Sequence, residues 1–205
     1  VDLQQYGEQL MQNKIGSIVA IEPSTGEILT LVSSPTYNPK VLTGRNRSIN
    51  FKCLLENENK PLFNRALLGQ YAPGSTFKLI NSLIALQEKT LNLYANYNCG
   101  GGYKYGNDEI LLCHDHANPL DLKKAITISC NTYFCNTFQK LFDKYNNPET
   151  AFNIWRNHVK SFGIGEWMNN DFTSGKKGFL PMSKTYDNIY GKTHWNASTV
   201  LSLSI

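Results

Sequence analysis

A serine and, three residues on, a lysine stand in Ser75-Thr76-Phe77-Lys78, directly after the breaker pair Pro73-Gly74. Leu79, Ile80, Leu83, Ile84 and Leu86 carry an apolar period onward to Lys89, a pattern that predicts a helix opening at Ser75. Residues three apart share a helix face, so hydroxyl and amine can meet. The positive end of the helix dipole and burial both disfavour an ammonium, so Lys78 is expected to accept the serine proton near neutral pH. That is the chemistry of an activated acyl-transfer nucleophile. The plainer alternative is an N-cap serine followed by a solvated lysine. Because Ser174-Gly175-Lys176-Lys177 has the same spacing with no helical period behind it, context and not spacing carries the assignment.

Acyl transfer also needs a group that passes the proton to the leaving amine, and donors for the oxyanion. Ser129-Cys130-Asn131 can supply the relay hydroxyl and a substrate-holding amide. Ser48-Ile49-Asn50 repeats the spacing but lies in an irregular stretch, whereas Ser129 stands at a corner between two amphipathic patterns. A capping pair at a helix break is the alternative.

Cys99, Cys113 and Cys130 fall between the two motifs, with His114 and His116 beside Cys113. Three thiols and an imidazole are a sufficient tetrahedral set for structural zinc, which would brace the corner around Cys130. His116 is preferred over His114 as the fourth ligand, because two more residues of chain strain the loop less. A disulfide such as Cys99 to Cys113 and simple buried thiols remain open. Cys53 and Cys135 read as structural bystanders.

The elements that must position these groups follow from periodicity. Leu3, Tyr6, Leu10 and Met11 predict a leading helix over Asp2 to Asn13. Gly16 to Glu22 and Glu27 to Val32 read as a hairpin closed by Pro23-Ser24-Thr25-Gly26. Ser33 to Phe51 reads as irregular loop, and Leu91 to Gly106 as a non-helical excursion over the site. Helices are expected in the run from Asp121, after Asn131, and from Pro148 to Phe162; Gly165 to Asn196 reads as loop. At 205 residues with 41% hydrophobic content the chain can bury a core, and no apolar run is long enough to span a membrane. A net charge of +4 is modest, and the basic residues Lys40, Arg45, Arg47 and Lys52 lack aromatic interleaving, which argues against a nucleic-acid partner. One continuous domain over residues 1–205 is the simplest organisation.

Taken together, these blocks resemble the transpeptidase domain of class B penicillin-binding proteins, and within that family the elongation type, penicillin-binding protein 2. The likeness rests on Gly16-Ser17-Ile18-Val19-Ala20-Ile21-Glu22-Pro23, Ser33-Ser34-Pro35-Thr36-Tyr37-Asn38-Pro39, Asn64-Arg65-Ala66 and Tyr71-Ala72-Pro73-Gly74-Ser75-Thr76-Phe77-Lys78. It implies a mixed α+β fold of the serine transpeptidase/β-lactamase kind, with helices around an antiparallel sheet. It further implies acylation of Ser75 by D-Ala-D-Ala stem peptides of peptidoglycan, with Lys78 as base, Ser129 as relay and Asn131 holding Lys78 and substrate. β-Lactams would acylate the same serine, no cofactor would be needed for the chemistry, and elongation-type members can carry a metal site near this corner. The implied partner is a membrane glycan polymerase, and the implied place is the periplasmic face of a bacterial inner membrane, reached by an upstream anchor. The family's Lys-Thr-Gly or Lys-Ser-Gly motif is expected beyond Ile205, since His194 in Lys192-Thr193-His194 replaces the glycine that lets substrate approach. The chain is thus expected to be an incomplete, N-terminal portion of the domain, without activity by itself. Alternatives are a serine β-lactamase or β-lactam sensor, and a non-catalytic wall-binding module.

Overall fold

The computed structural model describes every residue except 107–108, 168–171, 173 and 193, so Thr193 of the rejected Lys192-Thr193-His194 string lies outside the described residues. The 205 residues, expected to form one incomplete domain, divide into two compact units: 1–71 with 169–176, and 72–168 with 177–205. Among the described residues no helix is long and apolar enough to cross a membrane.

In the first unit, α1 (Asp2–Leu10) lies against an antiparallel hairpin of β1 (Gly16–Ile21) and β2 (Ile28–Ser34). Gln4 acts as a partner for the β2 edge: its Oε1 accepts from the Leu31 N–H at 2.8 Å and from Thr30 Oγ1 at 2.7 Å, and its Nε2 donates to the Leu31 carbonyl at 3.1 Å. Gly7 permits that approach, because a Cβ there would stand 3.0 Å from Val32 Cγ2. The stretch expected to be irregular instead holds a 3-10 turn (Pro39–Leu42) and α2 (Arg47–Glu56). No residue of α2 is buried, so there was no apolar stripe to betray it. Asn64 then caps α3 (Arg65–Leu68), and the buried Arg65 guanidinium donates to the Asn59 carbonyl at 2.7 Å and the Lys60 carbonyl at 3.2 Å.

The second unit carries the candidate chemistry. A 3-10 turn (Gly74–Phe77) runs into α4 (Lys78–Gln87), followed by the antiparallel pair β3 (Gly102–Tyr105) and β4 (Glu109–Leu112). Then come α5 (Leu122–Thr127), α6 (Asn131–Asp143), α7 (Pro148–Ser161) and α8 (Ser183–Tyr190), with a last 3-10 turn at Leu201–Ser204. The fold is mixed α+β, with two separate two-stranded antiparallel sheets among the described residues. The β3–β4 pair and α8 were not legible. Both are short, and α8 buries no residue of its own.

The core of this unit fixes α4. Tyr133, Phe134, Phe138, Leu141 and Phe142 form the buried stripe of α6, and Phe152, Trp155 and Val159 that of α7. Trp155 meets Phe138 edge-on at 5.9 Å and Phe77 at 6.2 Å, and its Nε1 donates to Asn81 Oδ1 on α4 at 2.8 Å. At the other end of α4, the carboxylate of Glu88 accepts from Lys144 Nζ (2.6 Å), Tyr145 OH (2.5 Å) and His158 Nε2 (2.7 Å). Those hydrogen bonds, from Lys144 first, hold its carboxyl down at about 2, against an ordinary 4.5. A carboxyl depressed on folding stabilises the fold above its unfolded value and stops doing so as pH falls through the folded one. Acid unfolding followed by tryptophan fluorescence should therefore show stability lost between about 4.5 and about 2. Glu88→Gln should be less stable at neutral pH and lack that part of the slope; an unchanged slope would remove Glu88 from the account.

Candidate active site

The site begins at a glycine. Gly74 has φ +60° with open space where a Cβ would stand, so backbone conformation and not crowding demands it. The left-handed residue turns the chain into the 3-10 turn, at whose end the Lys78 N–H donates to the Ser75 carbonyl, while the Ser75 and Lys78 side chains make no hydrogen bond to each other. Ser75 is exposed, and among the described residues its hydroxyl makes no hydrogen bond. Lys78 is the reverse, 2% exposed at the head of α4.

The Lys78 nitrogen reaches the Ser129 corner. It lies 2.8 Å from the Ser129 carbonyl, 3.0 Å from Ser129 Oγ and 2.6 Å from Asn131 Oδ1. Burial pulls its pKa below the ordinary 10.5, against an opposing pull from nearby Cys113, Cys130 and Cys135. The two carbonyl oxygens can only accept, so they take two N–H bonds and leave the third direction for a hydroxyl that either donates or accepts. An uncharged Lys78 would therefore present its lone pair to the Ser129 hydroxyl.

The corner is built by local rules that the residue names conceal. Ser129 has φ +56°, in the left-handed region usually left to glycine. Its N–H donates to the Ile126 carbonyl at 3.1 Å and the Cys130 N–H to the Ala125 carbonyl at 3.0 Å, the two bonds of a Schellman ending to α5. Cys130 at once caps the next helix, its Sγ accepting from the Tyr133 N–H at 3.3 Å. Asn131 is held from the β4 side: its Nδ2 donates to the Leu112 carbonyl at 2.9 Å and its N–H to Cys113 Sγ at 3.3 Å.

Behind the corner lie the thiols. The ligand atoms of Cys99, Cys113, His116 and Cys130 all fall within 4.8 Å of one another. Cys113 Sγ is 3.7 Å from His116 Nε2 and 3.9 Å from Cys130 Sγ. Tetrahedral zinc bonded to sulfur at its usual length separates two sulfurs by about 3.8 Å, so the set fits such an ion. His116 Nδ1 is 3.0 Å from the Ala117 carbonyl, which fixes the tautomer whose Nε2 lone pair is free to bind. His114 is not in the group; its ring centre is 5.4 Å from that of His116. Cys53 is exposed on α2, and Cys135 is buried with its Sγ 3.5 Å from Ser204 Oγ. Burial pushes the Cys113 thiol up, but hydrogen bonds from the Asn131 N–H, His116 and the Thr132 N–H outweigh it and bring it to about 7. Burial raises Cys130 to about 12.

Residues 16–203 match the family model of the penicillin binding protein transpeptidase domain. The chain belongs to that family. A curated relative, the peptidoglycan D,D-transpeptidase MrdA of Acinetobacter baumannii, is 32% identical over 99% of this chain and 29% of its own length. Pseudomonas aeruginosa PBP2 superposes with TM-score 0.85 at 28% identity, over 100% of this chain and 45% of that one. Mycobacterium tuberculosis penicillin-binding protein A, solved as a penicillin G acyl-enzyme, gives TM-score 0.76 at 25% identity over 99% of this chain and 45% of that one. The chain thus spans less than a third of the length of its curated transpeptidase relatives.

Of the residues singled out from sequence, this transpeptidase-family chain brings Lys78, Ser129 and Asn131 into direct contact and gathers Cys99, Cys113, His116 and Cys130 behind them. Sequence reasoning missed Asn118, whose amide pairs with the backbone of Cys99, accepting at 2.9 Å and donating at 2.8 Å. It also missed the β3–β4 pair that carries Cys113. The available signal was Gly102, where a Cβ would stand 2.9 Å from the Leu111 carbonyl oxygen across the pair. The left-handed Ser129 yields a test free of chemistry. Ser129→Gly and Ser129→Ala both lose the hydroxyl, but the glycine variant should be more stable by about 1 kcal/mol in denaturant titrations, because alanine pays for the same φ. Equal stabilities would contradict the strained corner.

Proposed function

We propose that the protein carrying this chain is a peptidoglycan D,D-transpeptidase of the elongation type, with residues 1–205 belonging to one transpeptidase domain. The observation that carries the reading is the Lys78 nitrogen, buried and shared between Ser129 and Asn131. The Ser75 hydroxyl attacks the carbonyl of the penultimate D-Ala of a stem peptide and gives its proton to uncharged Lys78, whose lone pair turns from the Ser129 hydroxyl to receive it. Ser129, one hydrogen bond from that amine, passes a proton to the departing terminal D-Ala. Asn131 holds Lys78 through Oδ1 and offers its amide toward the substrate, and the Ser75 N–H is one oxyanion donor. An amine of a neighbouring stem then resolves the acyl-enzyme as a cross-link.

β-Lactams are proposed to acylate the same serine; the neighbour from Mycobacterium tuberculosis, penicillin-binding protein A, is solved as a penicillin G acyl-enzyme complex. A membrane glycan polymerase is the proposed partner; a neighbour at TM-score 0.76 and 28% identity comes from a peptidoglycan synthase complex that coordinates polymerization and crosslinking. The proposed location of the domain is the periplasmic side of the bacterial inner membrane, where peptidoglycan is cross-linked. With a fluorescent penicillin, the full-length protein should label at Ser75, and Ser75→Ala should not. Ser129→Gly should stay folded yet label about a hundred- to ten-thousandfold more slowly, the size of a lost proton-transfer group. Absence of labelling in the wild-type protein favours a non-catalytic wall-binding module, and fast hydrolysis of nitrocefin favours a β-lactamase.

The thiol group is proposed to hold structural zinc through Cys99, Cys113, His116 and Cys130. The ion would supply cross-bracing and no step of acyl transfer. Cys130 lies between the relay serine and Asn131, and Cys113 directly follows Leu112, whose carbonyl holds Asn131, so four ligands would fix both sides of the corner. Elemental analysis of the purified full-length protein should find one zinc per chain, and chelation should lower its thermal midpoint. A metal-free protein whose midpoint ignores both chelator and added zinc removes the site.

A further inference from the structure

Lys78 and Asn131 are the first residues of α4 and α6, and both helices run from the site into the core. Their 2.6 Å bond is a first rung between the two helices. A second rung lies one helical turn deeper, since Asn81 follows Lys78 by three residues and Cys135 follows Asn131 by four, each on the face of its predecessor. The 3-10 turn Leu201–Ser204 joins that rung. Asn81 Nδ2 donates to the Leu203 carbonyl at 2.8 Å, and Ser204 Oγ is 3.5 Å from Cys135 Sγ. Asn81, Cys135 and Ser204 are all buried, so the turn is a spacer held between α4 and α6. We propose that Asn81 is a positioning residue: by gripping the Leu203 carbonyl it keeps this turn wedged between the helices, and so sets the reach of Lys78 Nζ to the Ser129–Asn131 corner.

Packing alone does not explain an amide at this position, because leucine would fill nearly the same volume and need no partners. Both ends of the Asn81 amide are used: Oδ1 accepts from Trp155 Nε1 at 2.8 Å while Nδ2 takes the Leu203 carbonyl, which fixes which end is oxygen. The indole bond ties α4 to α7 and serves stability. The Leu203 bond is the one that reaches the spacer. Without it the carbonyl loses its donor, and the turn relaxes outward toward water. The helices then reseat against each other one turn below the lysine. A displacement of about 1 Å carries a hydrogen bond such as that from Lys78 to Asn131 past its limit.

The geometric claim needs no assumption about catalysis, whereas its effect on acylation rests on the transpeptidase reading. In the full-length protein, Asn81→Leu removes both bonds of the amide, while Trp155→Phe removes only the indole bond and leaves the grip on Leu203. Both should lower the thermal midpoint. With a fluorescent penicillin, Asn81→Leu should lower the saturating labelling rate by about tenfold or more at an unchanged half-saturating concentration, because the lysine is displaced and no ligand contact is altered. Trp155→Phe should keep the wild-type rate, so the rate separates positioning from plain stability. Should Asn81→Leu fail to fold, Ser204→Ala, which loosens the α6 side of the spacer, takes its place and should lower the rate several-fold. In a crystal structure of the variant, Lys78 Nζ should stand beyond hydrogen-bond distance of Asn131 Oδ1. Rates that simply follow the midpoint across the variants, or a Lys78–Asn131 contact that survives, overturn the proposal. A wild-type protein that never labels overturns the transpeptidase reading instead, and the crystallographic distance then decides the positioning claim by itself.

Discussion

A lysine nitrogen removed from water must find acceptors, and in this fold it finds three oxygens on one corner. An amine buried without partners costs several kcal/mol or abandons its charge. The carbonyl and hydroxyl of Ser129 and the amide of Asn131 therefore hold Lys78 where it is, and Lys78 in turn holds the corner against α4. The contact joins residues 51 and 53 positions apart in the chain, so it exists only once α4, α5 and α6 have packed. The aromatic core around Trp155, with its bond to Asn81, and the three donors on Glu88 settle the position of α4 at its middle and its end.

The corner is economical in its use of residues. Cys130 completes the Schellman ending of α5, caps α6 and turns its sulfur into the thiol group. Ser129 offers Lys78 both backbone and side chain because its left-handed conformation presents them on the same side. That conformation costs a non-glycine residue about 1 kcal/mol or more. A glycine would relieve the strain and delete the hydroxyl, so the serine is explained by what the hydroxyl does. Asn131 links the two halves, taking Lys78 on its oxygen and the Leu112 carbonyl on its nitrogen.

Electrostatics separates two of the thiols as well. Cys113 is held near neutral pH by donors from the start of α6 and from His116, while Cys130, buried behind it, is pushed far up. One sulfur is thus primed to ionise next to one that resists. A bound cation would erase that difference by deprotonating both, since a coordinated thiol ionises outright.

Much of this was legible in the residues alone. Pro73-Gly74 before an apolar period located the turn that carries Ser75 into the helix of Lys78, and the alternating runs from Gly16 to Val32 marked the first hairpin, because such signals are local. The stripes of α6 and α7 were readable for the same reason, each burying a continuous face. The helices α2 and α8 were not, since neither buries a residue and periodicity has nothing to report. Sequence also named the thiols and the His116 imidazole but not how they meet, which depends on β3–β4 pairing and on Asn118 gripping the Cys99 backbone. What the chain determined by itself was the inventory of reactive groups and the local turns that expose or cap them. Tertiary structure alone decided that Lys78 is buried against Ser129, because that contact joins α4 to the α5–α6 corner, segments that no local rule connects.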